Sequence, residues 1–130
     1  MTAYVDASAL VKLVVEEAES AALRPFLDGF DVLATSRVAV VEVGRAAWRH
    51  SAIATDRAAE VLDVVVLVEL DATLAGGSAG VAPDSLRTLD AIHLASAQAL
   101  AEDLQVFVTY DLRLAAAARA LGLGVATPGT

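Results

Sequence analysis

The sequence predicts a single α/β domain, residues 1–130, in which helices cover both faces of a mainly parallel central sheet. Three observations lead there. Short β-prone segments alternate with helix-like runs along the whole chain, the links between them are brief, and no internal repeat or linker divides the sequence. At 130 residues and 13.3 kDa the chain has room for one ordinary core and none for a second domain.

In order, Ala3 to Val5 reads as a short strand, and Asp6-Ala7-Ser8 marks the switch to a helical run through Leu10, Leu13 and Val14. Ser20 to Leu27 has helical spacing in Ala22, Phe26 and Leu27, with Gly29 as its terminator. Val32 to Thr35 reads as a second strand, after which Ser36 can cap a helix carrying Val38, Val41, Glu42, Arg45, Ala46 and Arg49. A further helix is expected over Asp56 to Val64, with part of the adjoining VVVLVEL forming a strand. Gly76 to Gly80, followed by Pro83, reads as a loop near the active face. Ser85 to Ala101 is expected to be a long helix, Val106 to Thr109 a strand, Leu112 to Leu121 a helix ended by Gly122, and Val125 to Thr127 a last strand.

Composition narrows the chemistry. Hydrophobic residues make up 57% of the chain and mean hydropathy is +0.62. No stretch reaches the ~18 uncharged apolar residues of a membrane span. The opening residues have neither the basic start nor the cleavage site of a secretory signal, so the expected location is cytoplasmic, with no membrane partner. With no cysteine, a disulfide framework and a thiolate zinc site are both excluded, and a metal would be held by oxygen or by the two histidines. The net charge of −8, from 17 acids against 9 bases, argues against a chain that coats nucleic acid through a bulk positive field. It suits a basic partner segment or metal ions that neutralise converging carboxylates.

Asp6 and Asp111 each follow a predicted strand closely, and the carboxyl ends of strands are where α/β folds place their ligands. Taken singly, each is also a good helix cap. Glu42 and Asp90 are less ordinary, because they lie inside predicted helices between apolar neighbours. Glu42 would then pair with Arg45, or Asp90 with Arg87, if each were only a solvent-facing ion pair. Four acids on four separate elements could instead converge on one or two hard divalent ions. Their role would be to acidify a water, place it in line with a phosphodiester and stabilise charge on the phosphate. Ser8 and Thr109 either orient such a water or a phosphate oxygen, or satisfy local backbone. Arg37, Arg45, Arg49 and Arg87 are candidate phosphate contacts if folding gathers them on the rim of the acidic pit. His93, one turn after Asp90, fits a packed or supporting role as well as a catalytic one, and His50 a helix end. No phosphate-binding loop with a Lys-Ser or Lys-Thr ending and no GxSxG elbow occurs.

At these residues the chain resembles the PIN-domain family, in particular the VapC ribonuclease toxins. The resemblance rests on YVDASALVKL around Asp6, RVAVVEVGRA around Glu42, LRTLDAIHLASA around Asp90 and VFVTYDLRLAAAARALGLGV around Asp111, in order across nearly the whole chain. It implies a PIN-like three-layer α/β/α domain and a site in which Asp6, Glu42, Asp90 and Asp111 surround magnesium or manganese and cleave RNA, with Ser8 and Thr109 in support. It also implies a homodimer and a cognate small VapB-type antitoxin that places a basic side chain in the acidic pocket. Some relatives carry another acid about one turn beyond the position of Asp111, where this chain has Leu114 and Ala115. Two other functions compete: a catalytically inactive PIN-like module that binds RNA or protein, and a phosphoryl-accepting receiver domain. The receiver is disfavoured because Lys12 is the only lysine and the late lysine it needs is missing.

Overall fold

Thr2–Val5 (β1) is buried along its whole length, and the rest of the chain is laid out on either side of it. The computed structural model describes every residue from Met1 to Thr130. After β1 come α1 (Ala7–Val14), α2 (Ser20–Leu27), β2 (Val32–Ser36), α3 (Val38–His50), α4 (Ala52–Asp63) and β3 (Val66–Val68). Then follow α5 (Ala72–Ala79), α6 (Thr88–Gln98), a short 3-10 turn at Ala101–Asp103, β4 (Leu104–Val108), α7 (Leu112–Ala120) and β5 (Val125–Ala126). The five strands form one sheet in the order β3-β2-β1-β4-β5, and every pairing is parallel.

That order means the chain builds outward from β1 in one direction through β2 and β3, then returns to β1's other edge for β4 and β5. Right-handed crossovers run in opposite directions lay their helices on opposite faces. Two cores result. Ala3, Val5 and Val108 pack with Leu10, Val14, Leu23 and Val43 from α1 to α3, and with Ala54 and Ala58 of α4. Tyr4 and Phe107 point the other way and pack with Leu94 of α6 and Leu114 and Ala118 of α7. The period-two alternation of β1 and β4 thus feeds both layers, and the expected three-layer α/β/α fold is present. No helix is long and apolar enough to cross a membrane. The sheet order also differs from the 2-1-3-4-5 order of receiver-type folds, which removes that reading's structural basis.

Several boundaries differ from the sequence expectation. The segment Gly76 to Gly80 is not a loop: Gly76, Gly77 and Ser78 lie in α5, whose N-terminus is capped by Asp71 accepting the Leu74 N–H at 2.8 Å. Two adjacent glycines disfavour a helix, but this cap and the packing of α5 on α6 outweigh them. Likewise α4 starts at Ala52 rather than Asp56, because the Ser51 hydroxyl accepts the Ala54 N–H at 3.0 Å. Helix α6 is shorter than Ser85 to Ala101, since Arg87 is still extended with ψ 153°. Ser36 ends β2 while its Oγ accepts the Val38 N–H at 3.2 Å, so it supports the start of α3 from one position earlier than a cap.

A methyl group added at Gly76 or Gly77 would meet nothing within 4 Å. Gly76→Ala and Gly77→Ala should therefore each raise stability by about 0.5–1 kcal/mol, read by thermal or urea unfolding. A destabilised pair of variants would mean that this segment is not helical.

Candidate active site

In an open parallel sheet the ligand crevice lies beyond the carboxyl ends of the strands where the winding direction reverses. Here that point falls between β1 and β4. Asp6 leaves β1 at this point, and beyond the end of β4 the chain runs through Thr109 and Tyr110 to Asp111. Glu42 is delivered early in α3, just after β2, and Asp90 in the first turn of α6. All four predicted acids thus belong to the same edge of the sheet.

Asp6 is only 3% exposed and is held on three sides. Its Oδ1 accepts from Ser8 Oγ at 2.7 Å and from the Ala9 N–H at 3.0 Å, and its Oδ2 accepts from Thr109 Oγ1 at 2.5 Å. Each hydroxyl also braces the neighbouring strand end. Thr109 Oγ1 accepts the Asp111 N–H at 3.1 Å, and Ser8 Oγ accepts the Tyr110 N–H at 3.0 Å. Ser8 and Thr109 therefore act on Asp6 and on the backbone leading to Asp111. Burial pushes the Asp6 carboxyl above its usual range, opposed by the hydrogen bonds from Thr109 and Ser8.

Asp111 caps α7, with Oδ1 accepting the N–H groups of Arg113 and Leu114 at 2.9 and 3.0 Å. Only one oxygen is used, so Oδ2 remains available. Asp90 is half-buried and its carboxyl is raised, first by desolvation and then by the negative charge of Asp111, with Glu42 adding to the same effect. Asp111 and Glu42 are thus near enough to Asp90 for their charges to oppose its ionisation.

Glu42 does not pair with Arg45. Its Oε1 lies 2.7 Å from His93 Nε2, and His93 Nδ1 lies 2.6 Å from the Tyr4 hydroxyl. A carboxylate only accepts, so Nε2 carries the proton; burial raises the Tyr4 phenol far above its usual value, which keeps it a donor toward Nδ1. His93 and Tyr4 are both essentially fully buried, Tyr4 stacks on Phe107, and the line Tyr4–His93–Glu42 runs from the sheet up to the acidic edge. Tyr4 was not among the residues picked from sequence, and His93 was left between two roles; the only signal was a polar side chain in an otherwise apolar stretch of α6.

The arginines divide. Arg37 is engaged by both oxygens of Glu69, at 2.9 and 2.5 Å, so it is no free rim cation. Arg49 lies in the last turn of α3, about 10 Å along the axis from Glu42, and so stands apart from the acidic edge. Arg45 is one turn from Glu42 and exposed. Arg87 precedes α6 and is exposed; its charge favours ionisation of Asp90, but the two form no ion pair. Arg113, in the first turn of α7, joins Arg87 and Asp90 in lining one groove and was not singled out from sequence.

No three acidic or histidine side chains come close enough in this arrangement to hold one metal ion directly. The donor set is nevertheless all hard oxygen, and the repulsion at Asp90 is offset only in part by His93 and Arg87. Such a set fits a magnesium-like ion, which dehydrates reluctantly and is usually held by one or two carboxylates with other groups reached through water.

The family model for the PIN domain matches residues 3–120. The chain is 42% identical over 125 residues to Ribonuclease VapC46 of Mycobacterium tuberculosis, covering 96% of each, and 39% identical over 132 residues to Ribonuclease VapC47 of the same species, covering 97% of this chain and 96% of that one. Among solved structures it is similar to the sarcin-ricin-loop-cleaving toxin VapC20 of M. tuberculosis, with TM-score 0.70, 16% identity and coverage of 93% of this chain and 95% of that one. It is also similar to VapBC2 of Rickettsia felis bound to a promoter DNA fragment, with TM-score 0.68, 12% identity and coverage of 98% and 99%.

Two outcomes follow from this geometry. A carboxyl whose folded pKa is raised contributes most to stability when protonated, and that contribution is lost as pH rises from its ordinary value, here 3.8, through the folded value. Asp6→Asn keeps the acceptor for Ser8 and Ala9 and escapes this loss. In metal-free buffer the wild type should therefore lose stability relative to Asp6→Asn as pH climbs from the carboxylate range toward neutrality; parallel curves would contradict the buried-charge reading. His93→Ala strands the Tyr4 hydroxyl and empties a packed site, so it should cost roughly 2–5 kcal/mol in chemical unfolding. A cost below about 1 kcal/mol would show that the Tyr4–His93–Glu42 line does not brace the fold.

Proposed function

The chain belongs to the PIN domain family, and from its site we propose that it is a metal-dependent endoribonuclease toxin, hydrolysing RNA phosphodiester bonds and restrained by a small VapB-type antitoxin. The observation that carries the reading is the placement of Asp6, Glu42, Asp90 and Asp111 at the single reversal point of the sheet, with Asp90 already opposed by Asp111. The ribonuclease names of its relatives over nearly full length point the same way.

In this reading Asp6, Asp90 and Asp111 hold magnesium or manganese, directly or through water, and Glu42 faces the same space. Such an ion supplies Lewis-acid stabilisation of charge on the phosphate and a more acidic water at neutral pH. The chain's own part is positional. Thr109 and Ser8 orient the Asp6 carboxylate; the Asp111 cap leaves one oxygen free; His93 fixes the direction of Glu42; Arg87 adds positive charge beside Asp90. Leu114 and Ala115, about one turn beyond Asp111, are apolar and each 1% exposed, so this reading assigns the chemistry to these four acids alone.

The net charge of −8 supports an inhibitory partner with a basic segment, and the similar structure VapBC2 of Rickettsia felis has been solved bound to a promoter DNA fragment. A homodimer is part of the same proposal, supported by the large exposed apolar side chains Val41, Trp48 and Ile53 on α3 and α4.

Asp90→Asn is the direct test. Asp90 makes no hydrogen bond that its amide would lose, and neutralising it relieves repulsion from Asp111, so the fold should be unchanged or slightly more stable. RNA cleavage with magnesium or manganese should fall by at least about 100-fold, exceeding the ~10–100-fold cost of losing a group that only supports a ligand. Wild-type protein that leaves RNA intact with either ion, just as it does with chelator, would support an inactive binding module instead.

A further inference from the structure

A groove of about 550 Å³ runs between the segment leading into α6 and one face of α7. Asp90, one of the four site acids, lines it together with Arg87, Arg113 and Ser85. Its floor is apolar: Pro83 and Leu86 on one side, and Ala116, Ala117, Ala120 and Leu121 on the other. On α7, Arg113, Ala116, Ala117, Ala120 and Leu121 fall at i, i+3, i+4, i+7 and i+8, a single helical stripe. The alanines keep that stripe flat, and the arginine stands at its active-site end.

The groove brings two guanidinium groups together on a chain of net charge −8. Lys12, Arg24 and Arg37 are bound to carboxylates; of the six arginines without an ion pair, Arg87 and Arg113 are the two that line this groove. Helix α6 also begins without a side-chain cap, leaving first-turn N–H groups free beside Arg87. Guanidinium groups match phosphate in planar, bidentate fashion, and a flat apolar wall accepts the face of a base. The volume lies within the ~300–1,000 Å³ range of small-ligand sites.

We propose that this groove seats one nucleotide of the RNA strand adjoining the bond that is cut, with its phosphate on Arg87 and Arg113 and its base on the alanine face of α7. The proposal rests on the ribonuclease reading for its substrate, and it adds Arg113 and the α7 stripe as the surface that holds the strand in register. Arg87 thereby has a second task beside its effect on Asp90. The contact is to phosphate and to the face of a base, so it grips the strand without reading a unique sequence.

The test uses the intact protein and two readouts. In an NMR titration with adenosine 5′-monophosphate, with and without magnesium, the amides of residues 85–90 and 113–121 should shift together. Adenosine alone and inorganic phosphate alone should each bind at least about tenfold more weakly, a difference of ~1.4 kcal/mol. Arg113→Ala and the groove-filling Ala120→Trp, both at exposed positions, should each weaken the mononucleotide about tenfold while leaving the melting temperature in place. In RNA cleavage the same variants should raise KM by about tenfold with kcat within about twofold, the pattern of lost uniform binding.

Shifts confined to other surfaces, or mononucleotide affinity untouched by both variants, would overturn the proposal. Weakened mononucleotide binding with unchanged KM for RNA would also overturn it, assigning the groove to a free nucleotide. Weakened binding in a protein that cleaves no RNA would leave the groove a nucleotide site and sink the ribonuclease reading alone.

Discussion

A carboxylate buried at the centre of a parallel sheet is the constraint on which the rest of this structure turns. β1 has strands on both edges and helices on both faces, so the residue that ends it emerges where water is scarcest. That residue is Asp6, and its charge must be answered locally or neutralised. Ser8, Thr109 and the Ala9 N–H answer it in part, and the same two hydroxyls tie the ends of β1 and β4 to one another. The anchoring of the acid and the closure of the sheet's carboxyl edge are one hydrogen-bonded unit.

Part of that charge is left unanswered by the fold. Asp6 and Asp90 both resist ionisation in the fold, the first through burial and the second through burial and Asp111. Natural proteins keep such destabilising groups where activity needs them. Here the surplus negative charge sits at the reversal point of the sheet, and a positive species that enters, whether a metal ion or a basic side chain, is favoured by the relief of repulsion. The same electrostatics therefore favours a proposed cofactor and a proposed inhibitor as competitors for one place.

The two helical layers meet at this edge as well. Glu42 comes from α3, which packs on one face of the sheet, and His93 from α6, which packs on the other; their 2.7 Å contact joins the layers over the strand ends. Tyr4 supports His93 from within the second core. A change in how either layer packs would thus be felt in the direction of the Glu42 carboxylate, which links core packing to the geometry of the site. The unpaired Arg87 and Arg113 lie beyond this edge along the groove, so positive charge is kept a short distance from the acids and does not neutralise them.

Much of this was legible in the sequence because it depends on local rules. Strand and helix alternation set the α/β class, and Asp6, Glu42, Asp90 and Asp111 stood out by falling at strand ends or within apolar helical runs. The α5 helix was misread as a loop because glycine composition outweighed a single Asp71 cap, whose effect depends on packing against α6. Arg37 looked like a rim cation until folding brought Glu69, thirty-two residues away, against it. Arg113 and the groove it lines were invisible, since the groove exists only once the segment leading into α6 lies against α7. The Tyr4–His93–Glu42 line spans 89 residues from Tyr4 to His93 and 51 from Glu42 to His93. Sequence spacing carries propensities and periods, which act over a few residues; which polar groups find each other across such separations was decided by the winding of the sheet.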